Sequence, residues 1–218
     1  LATIRLAADI LSTRRGVMDE SGIQRALQTI LSTTDYMTGI VTDVLDLSSM
    51  NSDAQQEALS DFPLGKFLRQ IAGEFQGTTG GPAAITFEWD GNPVDCTAIP
   101  DLLKSAVNNL LDNAVKYSPQ GSPVVLRLRQ EGKEAVICVE DQGIGIPEED
   151  VAFLHDPFFR ASNAVGIPGT GLGLAIVAEA MQRMGGNVGC SKREGGGTIF
   201  TLRLPVVGGA EPGGGGPG

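Results

Sequence analysis

The sequence predicts an α+β fold: helices layered on a mixed or antiparallel sheet, with a helical hairpin in front. Three observations predict it. Residues 21–44 carry a long heptad-spaced apolar seam, and residues 124–140 and 187–204 each read as two strands joined by a turn. Residues 100–117 and 172–184 read as amphipathic helices, each placed ahead of one of those strand pairs in sequence. The length, 218 residues, suits one ordinary domain with a smaller appendage. A hydrophobic share of 41% against 19% charged residues allows a true core.

Residues 1–11 place Leu1, Ile4, Leu6, Ala8 and Leu11 as the back end of an amphipathic helix, which Gly16 interrupts. A second helix starts near Ser21. Its apolar positions Ile23, Leu27, Ile30, Thr34, Met37, Val41 and Val44 alternate four and three apart, a coiled-coil seam sustained for about three heptads. A hairpin this one-sided cannot hide its seam alone, so the pattern predicts dimerisation through residues 1–50 over packing on the same chain. Residues 51–61 are polar and form a linker. Asp61-Phe62-Pro63-Leu64 opens a helix through Phe75, Gly77–Pro82 is a loop, and Ile85, Phe87 and Trp89 share one face of a strand. Pro100 starts the helix to Tyr117 at its first turn. Val124–Arg129 and Glu134–Glu140 form a hairpin. A helix runs from about Leu172 to Met184, and the strands Asn187–Lys192 and Thr198–Leu204 close the domain at 62–205. Residues 206–218, crowded with glycine, predict a disordered tail.

Composition excludes several function classes. Sixteen basic against 26 acidic residues leave a net charge of −10, which disfavours direct nucleic-acid binding. The single histidine, His155, rules out a His-rich metal site within the sequence. Cys96, Cys138 and Cys190 lie far apart without CxxC spacing, so they read as small buried apolar residues in a reducing compartment. No apolar run approaches the roughly 18 residues of a membrane span.

Four short segments carry chemistry. In Asn108–Pro119, the side chains Asn109, Asn113, Lys116 and Tyr117 recur on one helical face, while Leu110, Leu111 and Val115 point to the core. Carboxamide oxygens there suit a hydrated divalent cation and the ammonium a phosphate; the plain alternative is a solvated helix face. In Val139–Pro147, Asp141 ends a strand before Gly143 and Gly145. A carboxylate so fixed can accept from an exocyclic amine such as that of adenine, and the glycines admit a flat ring. In Gly169-Thr170-Gly171-Leu172-Gly173, glycines lead into an apolar helix, whose first N–H groups can cradle phosphate. It follows no strand and carries no Walker lysine, so it is neither a dinucleotide fingerprint nor a P-loop. Leu154–Arg160 sets paired aromatics beside an arginine. Each segment alone also reads as an ordinary turn or surface; their order is what is specific.

In that order they resemble the N box, first glycine box, F box and second glycine box of sensor histidine kinase catalytic domains, within the ATPase fold family shared with gyrase and the Hsp90 chaperones. The resemblance covers about residues 62–205. It implies a two-layer α/β sandwich with a mixed sheet, the GHKL or Bergerat fold, binding ATP and Mg²⁺. It implies that Asn113 coordinates Mg²⁺ with Asn109 close by, Lys116 contacts phosphate and Tyr117 lines the pocket. Asp141 binds the adenine amine above Gly143 and Gly145. Residues 161–168 form a short mobile lid, with Arg160 at its root facing the γ-phosphate, and Gly169, Thr170, Gly171, Leu172 and Gly173 serve the phosphates or hinge the lid. Hydrolases of this fold carry Glu where Asn109 stands; an amide cannot take a proton from water, which leaves phosphoryl transfer.

His155 departs from the pattern, standing where the family has the first F-box Phe. Leu1-Ala2-Thr3-Ile4-Arg5 resembles the continuation of an H box, which puts the phosphoacceptor His just upstream of Leu1 and makes residues 1–50 most of a dimeric four-helix bundle. The implied function is an autophosphorylating histidine kinase core on the cytoplasmic or plastid-stromal side, with a response regulator as partner and membrane contact only through segments outside this sequence. Its rivals are a nucleotide-binding pseudokinase scaffold and a serine kinase of the anti-sigma type, against which the hairpin speaks.

Overall fold

The computed structural model describes residues 2–13, 19–50, 59–79 and 84–207. Helices α1 (Ala2–Thr13) and α2 (Glu20–Met50) form the expected antiparallel pair. Asp19 starts α2 by accepting the Gly22 N–H at 2.9 Å, an N-terminal cap. Along the seam Ile23, Ile30 and Met37 are half-buried, whereas Leu27, Val41 and Val44 are exposed.

The second unit opens with β1 (Ser60–Pro63), which pairs antiparallel with β3 (Asp95–Ala98). The sequence suggested a helix start at Asp61–Pro63. Instead Phe62 pairs with Cys96 in the ladder, and Pro63, without an N–H, ends the strand. Helix α3 (Leu64–Thr79) therefore begins at Leu64 and runs past Phe75 into the expected loop. The expected linker 51–61 loses Ser60 and Asp61 to β1; residues 51–58 lie outside the described residues.

The main sheet has the order β2-β4-β5-β7-β6, from β2 (Ile85–Trp89), β4 (Val124–Glu131), β5 (Glu134–Glu140), β6 (Asn187–Lys192) and β7 (Thr198–Pro205). Only the β2–β4 pairing in it is parallel, so the sheet is mixed. Together with α4 (Pro100–Tyr117) and α5 (Gly173–Arg183), α3 packs on one face and completes the two-layer sandwich. The inward stripe of α4 is Leu102, Leu103, Ala106, Val107, Leu110, Leu111 and Ala114, all buried. Each fully buried leucine contributes about 1.5–3 kcal/mol of apolar transfer. The opposite stripe is thereby held beside the end of the central strand β5.

Val206 bridges Cys96 and donates to the Lys133 carbonyl at 3.0 Å, so the ordered domain extends past the expected boundary at 205. The rest of the expected tail, 208–218, lies outside the described residues. Cys96 and Cys138 are buried as expected, whereas Cys190 is half-buried. Burial pushes the Cys96 thiol up to about 12, which makes it inert.

Candidate nucleotide site

The polar stripe of α4 forms one wall of a cleft of about 260 Å³, to which Asn109, Asn113, Lys116 and Tyr117 all contribute. Asn109 donates its amide to the Ser105 carbonyl at 3.0 Å, one turn back. Its oxygen faces Gly173, where a Cβ would approach within 2.7 Å. A glycine there lets α5 start against the N-box amides. The Lys116 ammonium sits 4.7 Å from the Tyr117 ring centroid and beside Gly169.

Asp141 forms the far end of the cleft. It is 5% exposed. Its Oδ1 accepts the Gly143 N–H at 2.7 Å and the Thr198 N–H at 3.1 Å. No donor among the described residues reaches Oδ2. Two backbone bonds to one oxygen fix the carboxylate and leave the other for a ligand amine. Burial pushes the Asp141 carboxyl above its ordinary value, and the two N–H groups and Arg193 partly offset this. The Tyr117 carbonyl at the end of α4 accepts the Ile144 N–H at 3.2 Å, locking the first glycine turn to the N-box helix.

The second glycine turn closes the opposite end. Gly171 has φ +78°, and a Cβ there would meet the Phe158 carbonyl oxygen at 2.8 Å. Thr170 Oγ1 accepts the Leu172 N–H at 3.1 Å at the threshold of α5. Gly169, Thr170, Gly171 and Gly173 line the cleft, while Leu172 is wholly buried and anchors the helix start. The first N–H groups of α5 thus face the same space as Lys116, a setting for phosphate.

Leu154, Phe159, Arg160, Ala161, Asn163 and Ala164 cover the cleft. Arg160 Nη2 donates to the Ala164 carbonyl at 2.9 Å and to the Ile167 carbonyl. The guanidinium expected to face a γ-phosphate is thus engaged in bracing strap 161–168, and meeting phosphate would exchange those bonds. The strap is hydrogen-bonded to the body of the domain rather than loose. His155 is exposed, and Leu154, buried one position before it, supplies the apolar anchor.

The cleft therefore gathers every expected site residue except Gly143 and Leu172, which shape its wall from behind. Sequence reasoning missed Asp43 and Asp112, Thr198 and Phe200 on β7, and Asn163 on the strap. The glycine run Gly195–Gly197 ahead of Thr198 was the available signal for a backbone donor at that strand's start. Asp43, carried on α2, had none.

A family model described as "Histidine kinase-, DNA gyrase B-, and HSP90-like ATPase" matches residues 98–208, slightly more than half of the chain. The chain belongs to this family, and its second unit is the ATP-binding catalytic domain of the sensor histidine kinase type. It is 30% identical over 200 residues to the sensor histidine kinase RcsC of Salmonella typhimurium, covering 88% of this chain and 20% of RcsC. It is 32% identical over 185 residues to the sensor histidine kinase WalK of Bacillus subtilis, covering 83% of this chain and 30% of WalK. The chain spans less than a third of the length of these two relatives. Among solved structures, a mycobacterial sensor histidine kinase, MprB, superposes with a TM-score of 0.60 at 27% identity, over 68% of this chain and 98% of its own. The histidine kinase ThkA, solved in complex with the response regulator TrrA, superposes with a TM-score of 0.72 over 94% of this chain and 58% of its own; at 19% identity it speaks to the fold alone.

Proposed function

We propose that this chain is the core of an autophosphorylating histidine kinase, which passes the γ-phosphoryl group of ATP to an imidazole on its phosphotransfer hairpin. The observation that carries this is Asp141: a buried carboxylate, pinned through one oxygen, at one end of a cleft whose other end holds Lys116 and the start of α5. Adenine enters at Asp141 and donates its amine to Oδ2. The triphosphate runs toward Lys116 and the N–H groups of α5. The carboxamide of Asn113 is the protein ligand for Mg²⁺. That donor fits, because Asn113 lines the cleft and Mg²⁺ would need only one protein oxygen, taking the rest from water and phosphate. When bound, Mg²⁺ neutralises charge on the phosphates.

The acceptor imidazole nitrogen forms a bond to Pγ as the bond from Pγ to the β,γ-bridging oxygen breaks, and ADP leaves with the electron pair. Asn109 cannot serve as a base for water, since its nitrogen is spent on Ser105 and its oxygen has no proton affinity at neutral pH. Two chains associate through the exposed face of α2, and a response regulator receives the phosphoryl group. Among the described residues no helix is long and apolar enough to cross a membrane. Because ATP is its phosphoryl donor, the core works on the cytoplasmic or plastid-stromal side.

The test incubates the full-length protein with γ-labelled ATP and examines the bond formed. Label that is lost in acid and kept in alkali is a phosphohistidine and supports the reading. Acid-stable label would indicate serine transfer, and absence of label with intact ATP binding would indicate a scaffold.

A further inference from the structure

Asp141 and Asp150 are the two buried carboxylates among the described residues. The first belongs to the adenine end of the cleft. The second does not line the cleft, and no step of phosphoryl transfer uses it. Asp150 lies on a 3₁₀ turn, Glu148–Phe153, directly after the first glycine turn. Its Oδ2 accepts two bonds from a single residue twelve positions on, the Ser162 N–H at 2.7 Å and the Ser162 hydroxyl at 2.8 Å. Ser162 begins the short 3₁₀ turn Ser162–Ala164 of the strap. The next residue, Asn163, donates to the Gly145 carbonyl at 3.0 Å. The strap is thus tied at two consecutive residues to the first glycine turn and its exit. Asn163 and Ala164 form cleft wall as a result.

We propose that Asp150 is a positioning residue for nucleotide retention: through Ser162 it holds strap 161–168 against the first glycine turn, so that the wall over the ATP cleft is formed before nucleotide enters. The proposal rests on the ATP-site reading above. The two charge-assisted bonds, each about twice as strong as a neutral one, offset part of the ordering entropy of the eight-residue strap, and the Asn163 and Arg160 bonds offset more of it. Its effect falls on departure of the nucleotide rather than on phosphate chemistry.

The experiment follows dissociation of ADP carrying a methylanthraniloyl fluorophore on its ribose, with association rate and melting temperature measured alongside. Asp150→Ala removes the acceptor. Ser162→Pro removes both donors while suiting the backbone: proline favours the first position of a helical turn, and Ala161 before it already has φ −57° and ψ 143°. Ser162 is exposed, so this variant keeps the test open if Asp150→Ala does not fold. Asp150→Asn retains an oxygen acceptor. Dissociation about tenfold faster is expected for Asp150→Ala and Ser162→Pro, with association not slowed; Asp150→Asn, which keeps an oxygen acceptor without the charge, is expected between the unaltered protein and Asp150→Ala. Unchanged dissociation in folded Ser162→Pro, or Asp150→Asn as fast as Asp150→Ala, would overturn the proposal. Failure of the unaltered protein to bind the probe would overturn the ATP-site reading, and this inference with it.

Discussion

The Thr170 hydroxyl, in the second glycine turn, donates to Asp43 Oδ2 on the hairpin helix α2 at 2.7 Å. The hairpin thereby sends a carboxylate into the end of the cleft proposed above for the phosphates. Like charge beside a triphosphate is unfavourable, so Asp43→Asn, which keeps an acceptor for Thr170 and removes the charge, is expected to tighten binding of a non-hydrolysable ATP analogue. The gain should be about two- to fivefold at low ionic strength and shrink as salt is added. Titration calorimetry at two salt concentrations reads it; affinity unchanged at both would place Asp43 away from the phosphates.

Phe158 and Gly171 face each other across the strap root, with the Phe158 N–H donating to the Gly171 carbonyl at 3.0 Å. Both have positive φ, +67° for Phe158 and +78° for Gly171. Phe158 is 65% exposed and is the one non-glycine residue in that region among those described. Phe158→Gly relieves a left-handed conformation while losing little burial, and a gain in stability of up to about 1 kcal/mol is expected. Gly171→Ala adds strain and a Cβ against the Phe158 carbonyl, and a loss of about 1–3 kcal/mol is expected. Urea midpoints of the two variants should move in opposite directions.

Burial raises the Asp141 carboxyl above its ordinary value. A carboxyl raised in the folded state holds its proton to higher pH there than in the unfolded chain. Its contribution to stability is complete below the unfolded value and is lost as pH rises through the folded one. Nucleotide binding has the opposite sign, because only the ionised Oδ2 accepts the adenine amine. Affinity for ATP is therefore expected to fall as pH drops from neutral through that raised value, with a step that Asp141→Asn lacks. Binding curves taken from neutral pH downward on the unaltered protein and on Asp141→Asn would show it.

The exposed apolar side chains of α2, Leu27, Leu31, Val41, Val44 and Leu45, are 45–61% accessible in the single chain. Covering them in a second copy accounts for their number better than solvent does. Leu27→Glu with Val41→Glu is expected to yield monomers in sedimentation while leaving ATP-analogue affinity within about twofold. Dimers that persist would place the interface elsewhere.

The sequence made the ATP site legible because its residues sit at fixed spacing on single elements. The stripe Asn109, Asn113, Lys116 and Tyr117 follows from helical period, and Leu110 and Leu111 orient it by being buried. Asp141 was readable as a strand end before two glycines, but its second backbone donor, Thr198, lies 57 residues away on another strand; the glycine run before it marks a turn and does not say which carboxylate the turn meets. The β1–β3 ladder was missed for the same reason: Asp95–Ala98 alternates for only four residues, too few to stand out without its partner strand, and Phe62-Pro63 mimics a helix start. Arg160 was read as a phosphate ligand from its place beside two aromatics, whereas carbonyls of the strap claim its guanidinium. Asp43 and Asp150 are acidic residues among 26 acidic ones, and only tertiary packing separates them from the solvated rest.

Recognition of the adenine amine by Asp141 is the centre of the account, and a specificity swap tests it most directly. Asp141→Asn is isosteric; its oxygen still accepts from Gly143 and Thr198, while its amide replaces Oδ2 with a donor. Adenine offers a donor at that position and hypoxanthine an acceptor. Affinities of ATP and inosine triphosphate for the two proteins are therefore expected to reverse. The unaltered protein should prefer ATP by about 10- to 100-fold, and Asp141→Asn should prefer the inosine nucleotide. An unaltered protein that binds both equally, or a variant that keeps the ATP preference, would contradict it.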